Sequence, residues 1–268
     1  MNLYDIIILI GGDNMLGAIY GDKAGSIYEY KQIKSIKSIY AEKLITEQSF
    51  YSDDTIETIA IIDAIINNKD YGETLKEYIL ENENYRPKFS PYFKTSFSPN
   101  TIKWANGTGK SDSIGNGAMM RISPVGFLFD KENEIIENAK LVTIPSHNSQ
   151  EAIECATTIA LMIYYFRNGL SKEEVYKKLK LNIKYIPFTK FNTTCRETID
   201  NCLYAIYHSD SFEDSIRKVF LMGGDTDTNA CIVGSVTEAI YGMTEEQKIL
   251  AQKDLPVKYT KILKKVYK

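Results

Sequence analysis

Two short acidic runs hold the residues best equipped for chemistry: Tyr51-Ser52-Asp53-Asp54-Thr55 and Gly223-Gly224-Asp225-Thr226-Asp227-Thr228. Each stands directly before a stretch of helical spacing, so each has an ordinary reading as a helix start. There, Ser, Thr and Asp accept free backbone N–H groups, and acids suit the positive end of the helix dipole. Capping uses one side-chain oxygen, however, and the second run offers two carboxylates and two hydroxyls behind a glycine pair. Four clustered carboxylates repel one another unless a cation neutralises them. Ligands that are all oxygen, without His or Cys, select a hard cation: magnesium, or manganese or calcium. If the two runs meet in space they predict a two-metal centre; if they stay apart they remain two helix starts.

Other polar residues sit in similar settings. Gly21-Asp22-Lys23-Ala24-Gly25 precedes Glu29, a candidate third acidic contributor, with a surface turn as the plain alternative. Gly115-Asn116-Gly117-Ala118-Met119-Met120-Arg121 is a glycine-rich turn whose backbone N–H groups suit a phosphate. His147, in Ser146-His147-Asn148, stands before a helical stretch where it either caps and packs or meets an anion. His208 falls at a helix end and reads as structural.

The elements that must position these residues are helices. Apolar residues recur at three-four spacing over 54–66, 150–166 and 228–241, the last with the small residues Gly234 and Ser235 for close packing. Further helices are expected at 72–82, 132–141, 171–180, 195–208, 212–221 and 245–252. No sustained alternation marks a large sheet. Residues 84–112, with Pro87, Pro91 and Pro99, read as a long irregular loop, and 182–194, with Pro187, as another break. Neither an internal repeat nor a linker is visible, so one domain is expected.

The 268 residues are 44% hydrophobic, enough for a sizeable core, and the net charge of -3 gives no electrostatic case for nucleic acid or an anionic membrane. Lys258, Lys261, Lys264, Lys265 and Lys268 read as the solvated face of a last helix. Cys155, Cys195, Cys202 and Cys231 form no CxxC pair, which suits buried free thiols in a reducing cytosol. The apolar run 6–10 is too short to span a bilayer and lacks a signal peptide's basic start, so it reads as a buried strand or arm ended by Gly11-Gly12.

Taken in order, the motifs resemble those of the ADP-ribosylglycohydrolase family, which includes the dinitrogenase reductase-activating glycohydrolases. The matching pieces are Gly17-Ala18-Ile19-Tyr20-Gly21-Asp22 with Glu29, then Ser52-Asp53-Asp54-Thr55. After them come Gly115 to Arg121 with Ile122-Ser123-Pro124-Val125-Gly126, Ser146-His147, and Gly223 to Thr228 with Gly234. The likeness spans roughly residues 15–243. It implies an all-α fold, one compact multi-helix domain over 15–268 with residues 1–14 as an N-terminal extension. It also implies two magnesium ions, with manganese as a substitute, at the mouth of an ADP-ribose cleft. Carried over, the metal ligands are Ser52, Asp53, Asp54, Asp225, Asp227 and Thr228. Glu29 matches the family glutamate near the scissile bond, with Asp53 and Asp54 as its catalytic companions. Ser113, Gly115, Asn116, Gly117 and His147 match positions lining the cleft. Three departures stand out: Ser52 where many relatives have Thr, Ile114 where some place an aromatic, and Lys23 inside a usually small apolar stretch.

The activity this implies is magnesium-dependent hydrolysis of the bond between ADP-ribose and an acceptor, through an oxocarbenium-like transition state. The acceptor is a protein side chain, a small molecule or a modified base, and Tyr85, Tyr92 and Phe93 either shape that choice or pack. A cytoplasmic monomer is expected. The rival readings are a metal-dependent phosphohydrolase and a non-catalytic ADP-ribose-binding relative.

Overall fold

A computed structural model describes residues 15–29, 43–90, 95–186 and 191–266. The expectations for residues 1–14, for Tyr92 and Phe93, and for Pro91, Pro187 and Lys268 lie outside them. Among the described residues the chain forms fourteen helices, α1 to α14, and no strand; two isolated bridges, Asp112 with His147 and Gly115 with Thr194, join loop segments. The fold is therefore all-α, as the periodicity and the resemblance require. None of these helices is long and apolar enough to cross a membrane.

The strongest periodic stretches become α2 (Asp53–Ile66), α8 (Gln150–Arg167) and α12 (Thr226–Tyr241). Along α12, residues 226–238 are all buried, which makes it the central helix. Ile56, Ile59, Ile61 and Ile62 of α2 are fully covered, and each such side chain contributes about 1.5–3 kcal/mol of burial.

The fold departs from the sequence reading at Gly21 to Gly25. This stretch is no surface turn but part of a buried helix, α1 (Gly17–Gly25), laid directly on α12. A Cβ at Gly21 would stand 2.0 Å from the Ala230 carbonyl oxygen, and one at Gly25 would stand 2.4 Å from Asp227 Cα. Backbone-to-backbone approach of this kind admits only glycine. α1 has no local side-chain cap; Glu238 of α12 supplies it, accepting the N–H groups of Leu16 (3.2 Å) and Gly17 (2.8 Å). Lys23, the odd residue of this stretch, is buried. Its Nζ donates to the carbonyls of Leu250 (2.7 Å) and Lys253 (2.6 Å), which closes the C-terminal end of α13 (Glu245–Gln252). Burial lowers its pKa to about 8.

The stretch 84–112 also departs from the expectation, because Ser98 caps a short helix, α4 (Pro99–Ala105), with Pro99 at its first turn. Tyr85 packs, its ring stacked 4.7 Å from that of Tyr51. The last helix, α14 (Val257–Val266), buries Tyr259, Ile262 and Leu263. Lys258 is not simply solvated: it pairs with Glu81 at 2.5 Å and lies over the Tyr78 ring, docking α14 against α3 (Tyr71–Glu81). All four cysteines are free and buried, and His208 ends α10 (Cys195–His208) with its ring 4.3 Å from that of Tyr204.

Candidate functional site

The α1–α12 contact settles whether the acid runs meet. It sets Asp22, near the end of α1, beside the start of α12, and the start of α2 comes to the same point. Oxygens of Asp22, Asp54 and Asp227 lie within 4.8 Å of one another, and so do those of Glu29, Asp225 and Asp227. Asp227 belongs to both groups, so the two triplets are adjacent.

Each carboxylate is held by its own element. Asp22 Oδ2 accepts the backbone N–H groups of Ser52 (2.9 Å) and Thr55 (3.1 Å), and its Oδ1 accepts the Ser52 hydroxyl at 2.8 Å. Thr228 Oγ1 donates to Asp54 Oδ2 at 3.2 Å, which ties the two acid runs together. Asp227 Oδ1 accepts the Thr228 N–H at 2.9 Å. Asp225 Oδ2 accepts Asn116 Nδ2 at 2.8 Å. Ser52, Asp54, Asp225, Asp227, Thr228 and Glu29 are all buried, whereas Asp53 is half-buried at the cleft and falls outside both triplets.

Crowding these acids has an electrostatic cost. Burial, then Asp227, raises Asp22 to about 7. Burial and Asp227 also push Asp54 and Asp225 well above the carboxylate range, and burial with Glu57 does so for Asp53. Asp54 Oδ1 is buried without a hydrogen-bond partner. A lone carboxylate oxygen left unpaired beside other carboxylates is what a cation requires, and an all-oxygen donor set fits magnesium, manganese or calcium.

A cleft of about 1600 Å³ opens from this acidic floor and is lined by Asp53, Gly115, Trp104, His147 and Phe191 among others. The glycine turn, followed by α5 (Gly117–Met120), runs along it. Ser113 and Ile114 are exposed there, Gly115 and Gly117 half-buried. Asn116 is among the lining residues but is buried: its side chain donates to Asp225, and its N–H donates to Thr193 O at 2.9 Å. His147 faces the two glycines, since a Cβ on either would lie 3.5 Å from its Nε2. Its Nδ1 meets Ser146 Oγ (2.7 Å) and Arg121 (3.3 Å). Burial, with Arg121 nearby, holds the ring well below its ordinary pKa, so it is neutral at pH 7. The arginine donor assigns Nδ1 as acceptor and leaves the proton on Nε2, toward the turn.

Sequence reasoning gave no role to four contributors. Asp22 stood in a quoted motif without a role; its glycine-spaced helix was the available signal. Glu57 and Arg121 form a fully buried pair at 2.5 Å behind the site, legible only once α2 and the glycine turn are known to touch. Asn192, in a segment read as an irregular break, gave no signal at all.

The comparisons with known proteins agree with this geometry. Residues 13–252 match the ADP-ribosylglycohydrolase family. ADP-ribosylhydrolase ARH3 of Mus musculus is 21% identical, the alignment covering 86% of this chain and 83% of that one. ADP-ribosylarginine hydrolase Tri1 of Pseudomonas putida is 24% identical, over 53% of this chain and only 42% of the relative. Among solved structures, an ADP-ribosylglycohydrolase-related protein complex shares the fold with a TM-score of 0.64 and 17% identity, covering 89% of this chain and 95% of that one. With the family matched over most of its length and the acid runs joined at one cleft, the chain belongs to the ADP-ribosylglycohydrolase family and is an ADP-ribosyl hydrolase.

Proposed function

We propose that the protein is a magnesium-dependent hydrolase that cleaves the bond between the anomeric carbon of ADP-ribose and its acceptor. The observation that carries this reading is Asp54 Oδ1, a buried carboxylate oxygen with no protein partner where two acid runs meet. Ser52, Asp53, Asp54, Asp225, Asp227 and Thr228 would hold the ions, with Asp22 added to the set the sequence suggests. Magnesium bound there supplies Lewis-acid polarisation of sugar hydroxyls and a more acidic water.

The chain's own residues do the rest. Gly115 and Gly117 present a turn free of side chains to the pyrophosphate, and neutral His147 donates from Nε2 to an oxygen of the same ligand. Ser113 offers its hydroxyl at the exposed end of that turn. The buried carboxylates stabilise positive charge as it develops on the ribose ring. Glu29, beside Asp225 and Asp227, positions the water or moves its proton. Residues 15–268 act as the catalytic domain, with 1–14 as an extension, and the protein works as a monomer.

The test is a product assay on peptides ADP-ribosylated at arginine or at serine, with magnesium or with EDTA. Magnesium-dependent release of intact ADP-ribose is the expected result, and the reactive peptide names the acceptor. Release of AMP or phosphate instead would make the protein a phosphohydrolase, and binding without any product would make it a non-catalytic relative.

A further inference from the structure

The segment before α10 belongs to neither acid run, yet it holds both sides of the site. Asn192 is buried, and its Oδ1 accepts the Asp225 N–H at 2.6 Å. Its Nδ2 donates to Thr198 Oγ1 at 2.6 Å and to Asn229 Oδ1 at 3.2 Å. The Asp225 N–H fixes which end of the amide faces it, because the inverted amide would set donor against donor. One residue on, Thr193 O accepts the Asn116 N–H at 2.9 Å, and Cys195 N donates to Ile114 O at 2.9 Å. Asn116 Nδ2 then closes the circuit on Asp225 Oδ2 at 2.8 Å.

The circuit matters because Asp225 stands at a helix start without a side-chain cap. Gly223 (φ 79°) and Gly224 (φ 80°) precede it in the left-handed region. Its carboxylate is repelled by Asp227. Without the Asn192 amide, the Asp225 N–H is an orphan donor at a helix start and the loop can swing the carboxylate away.

We propose that Asn192 is a positioning residue that fixes Asp225 and, through residues 192–195, locks the second acid run to the glycine turn. Cation binding and ADP-ribose binding then strengthen each other. This inference rests on the functional reading given above. It assigns coupling to a residue that touches neither ligand.

The experiment is calorimetric titration of magnesium into the metal-free protein, with and without saturating ADP-ribose. It compares wild type with Asn192→Leu and Thr198→Val, folding being checked by circular dichroism and thermal melting. Wild type should bind magnesium more tightly when ADP-ribose is present. Asn192→Leu should weaken magnesium by about 10- to 100-fold, the usual effect of losing a residue that orients a metal ligand, and reduce the ADP-ribose enhancement to the part that direct contact between ion and sugar supplies. Thr198→Val, which removes only an anchor of the amide, should move both quantities less and in the same direction, and it decides the matter if the leucine variant does not fold. A lower melting temperature with wild-type magnesium affinity and enhancement would overturn the proposal and leave Asn192 a packing residue. If wild type binds neither ligand, the functional reading itself falls; if wild type binds both and the variants match it, only the role of Asn192 falls.

Discussion

The two acid runs look alike in sequence but begin their helices differently. At α2, Ser52 is a working cap: its side chain accepts the Asp54 N–H at 3.3 Å and also donates to Asp22. At α12, Asp225 occupies the cap position yet makes no cap bond, and its carboxylate turns to Asn116 instead. One start combines helix stability with the site. The other gives up the cap for the site and relies on Asn192 and on the packing of α1 to stay in place. A cluster of acids before a helix is therefore a structural feature only to the extent that its side chains face the helix N–H groups.

The sharpest way to break this comparison is to remove the α2 carboxylate that belongs to the first triplet. Asp54→Ala should cut kcat/KM by more than about 1,000-fold, beyond the 10- to 100-fold typical of residues that merely support a metal ligand, with the helical spectrum intact. Retained activity would return α2's acids to simple capping. Next in size is Gly21→Val, which drives a side chain into the Ala230 carbonyl and should cost roughly 3 kcal/mol in denaturant unfolding, because backbone cannot move aside cheaply.

The paired prediction separates the two starts directly. Ser52→Ala should lose about 1 kcal/mol of stability as well as magnesium affinity, since it removes a cap. Asp225→Asn should lose magnesium affinity while its stability stays within about 0.5 kcal/mol of wild type or rises, because no cap is lost and a repelled charge is removed. Equal stability losses in the two variants would erase the distinction.

The smallest effect is a pH dependence. Asp22 is raised from 3.8 to about 7 in the folded, metal-free protein, so its protonation stabilises the fold below pH 3.8, and that contribution is lost as pH rises through 7. Magnesium replaces the proton. The gain in melting temperature on adding magnesium should therefore be larger at pH 8 than at pH 5.5, and an equal gain at both would contradict the crowded-carboxylate account.

Much of this was legible because some residue types report their own environment. Isoleucines and alanines at three-four spacing gave α2, α8 and α12 within a few residues, since burying one face is what makes those segments helical. The acids were legible because clustered like charges need a reason. The glycines of α1 were not: Gly17, Gly21 and Gly25 sit four apart, but glycine ordinarily signals a turn, and only the neighbour at 2.0 Å reveals that close packing is their purpose. Without α1 as a helix, Asp22 had no position. Asn192 was hidden for a different reason, because a polar amide in a loop costs nothing when solvated and becomes meaningful only once Asp225, Thr198 and Asn229 surround it.

The measurement that bears most directly on the central claim is calorimetric titration of ADP-ribose into the purified protein, first with magnesium and then with EDTA. Binding in magnesium that is lost in EDTA is predicted, because the acid runs and the glycine turn form one site. Binding of equal strength in EDTA, or no binding in either, would contradict the claim that these carboxylates hold a cation for ADP-ribose.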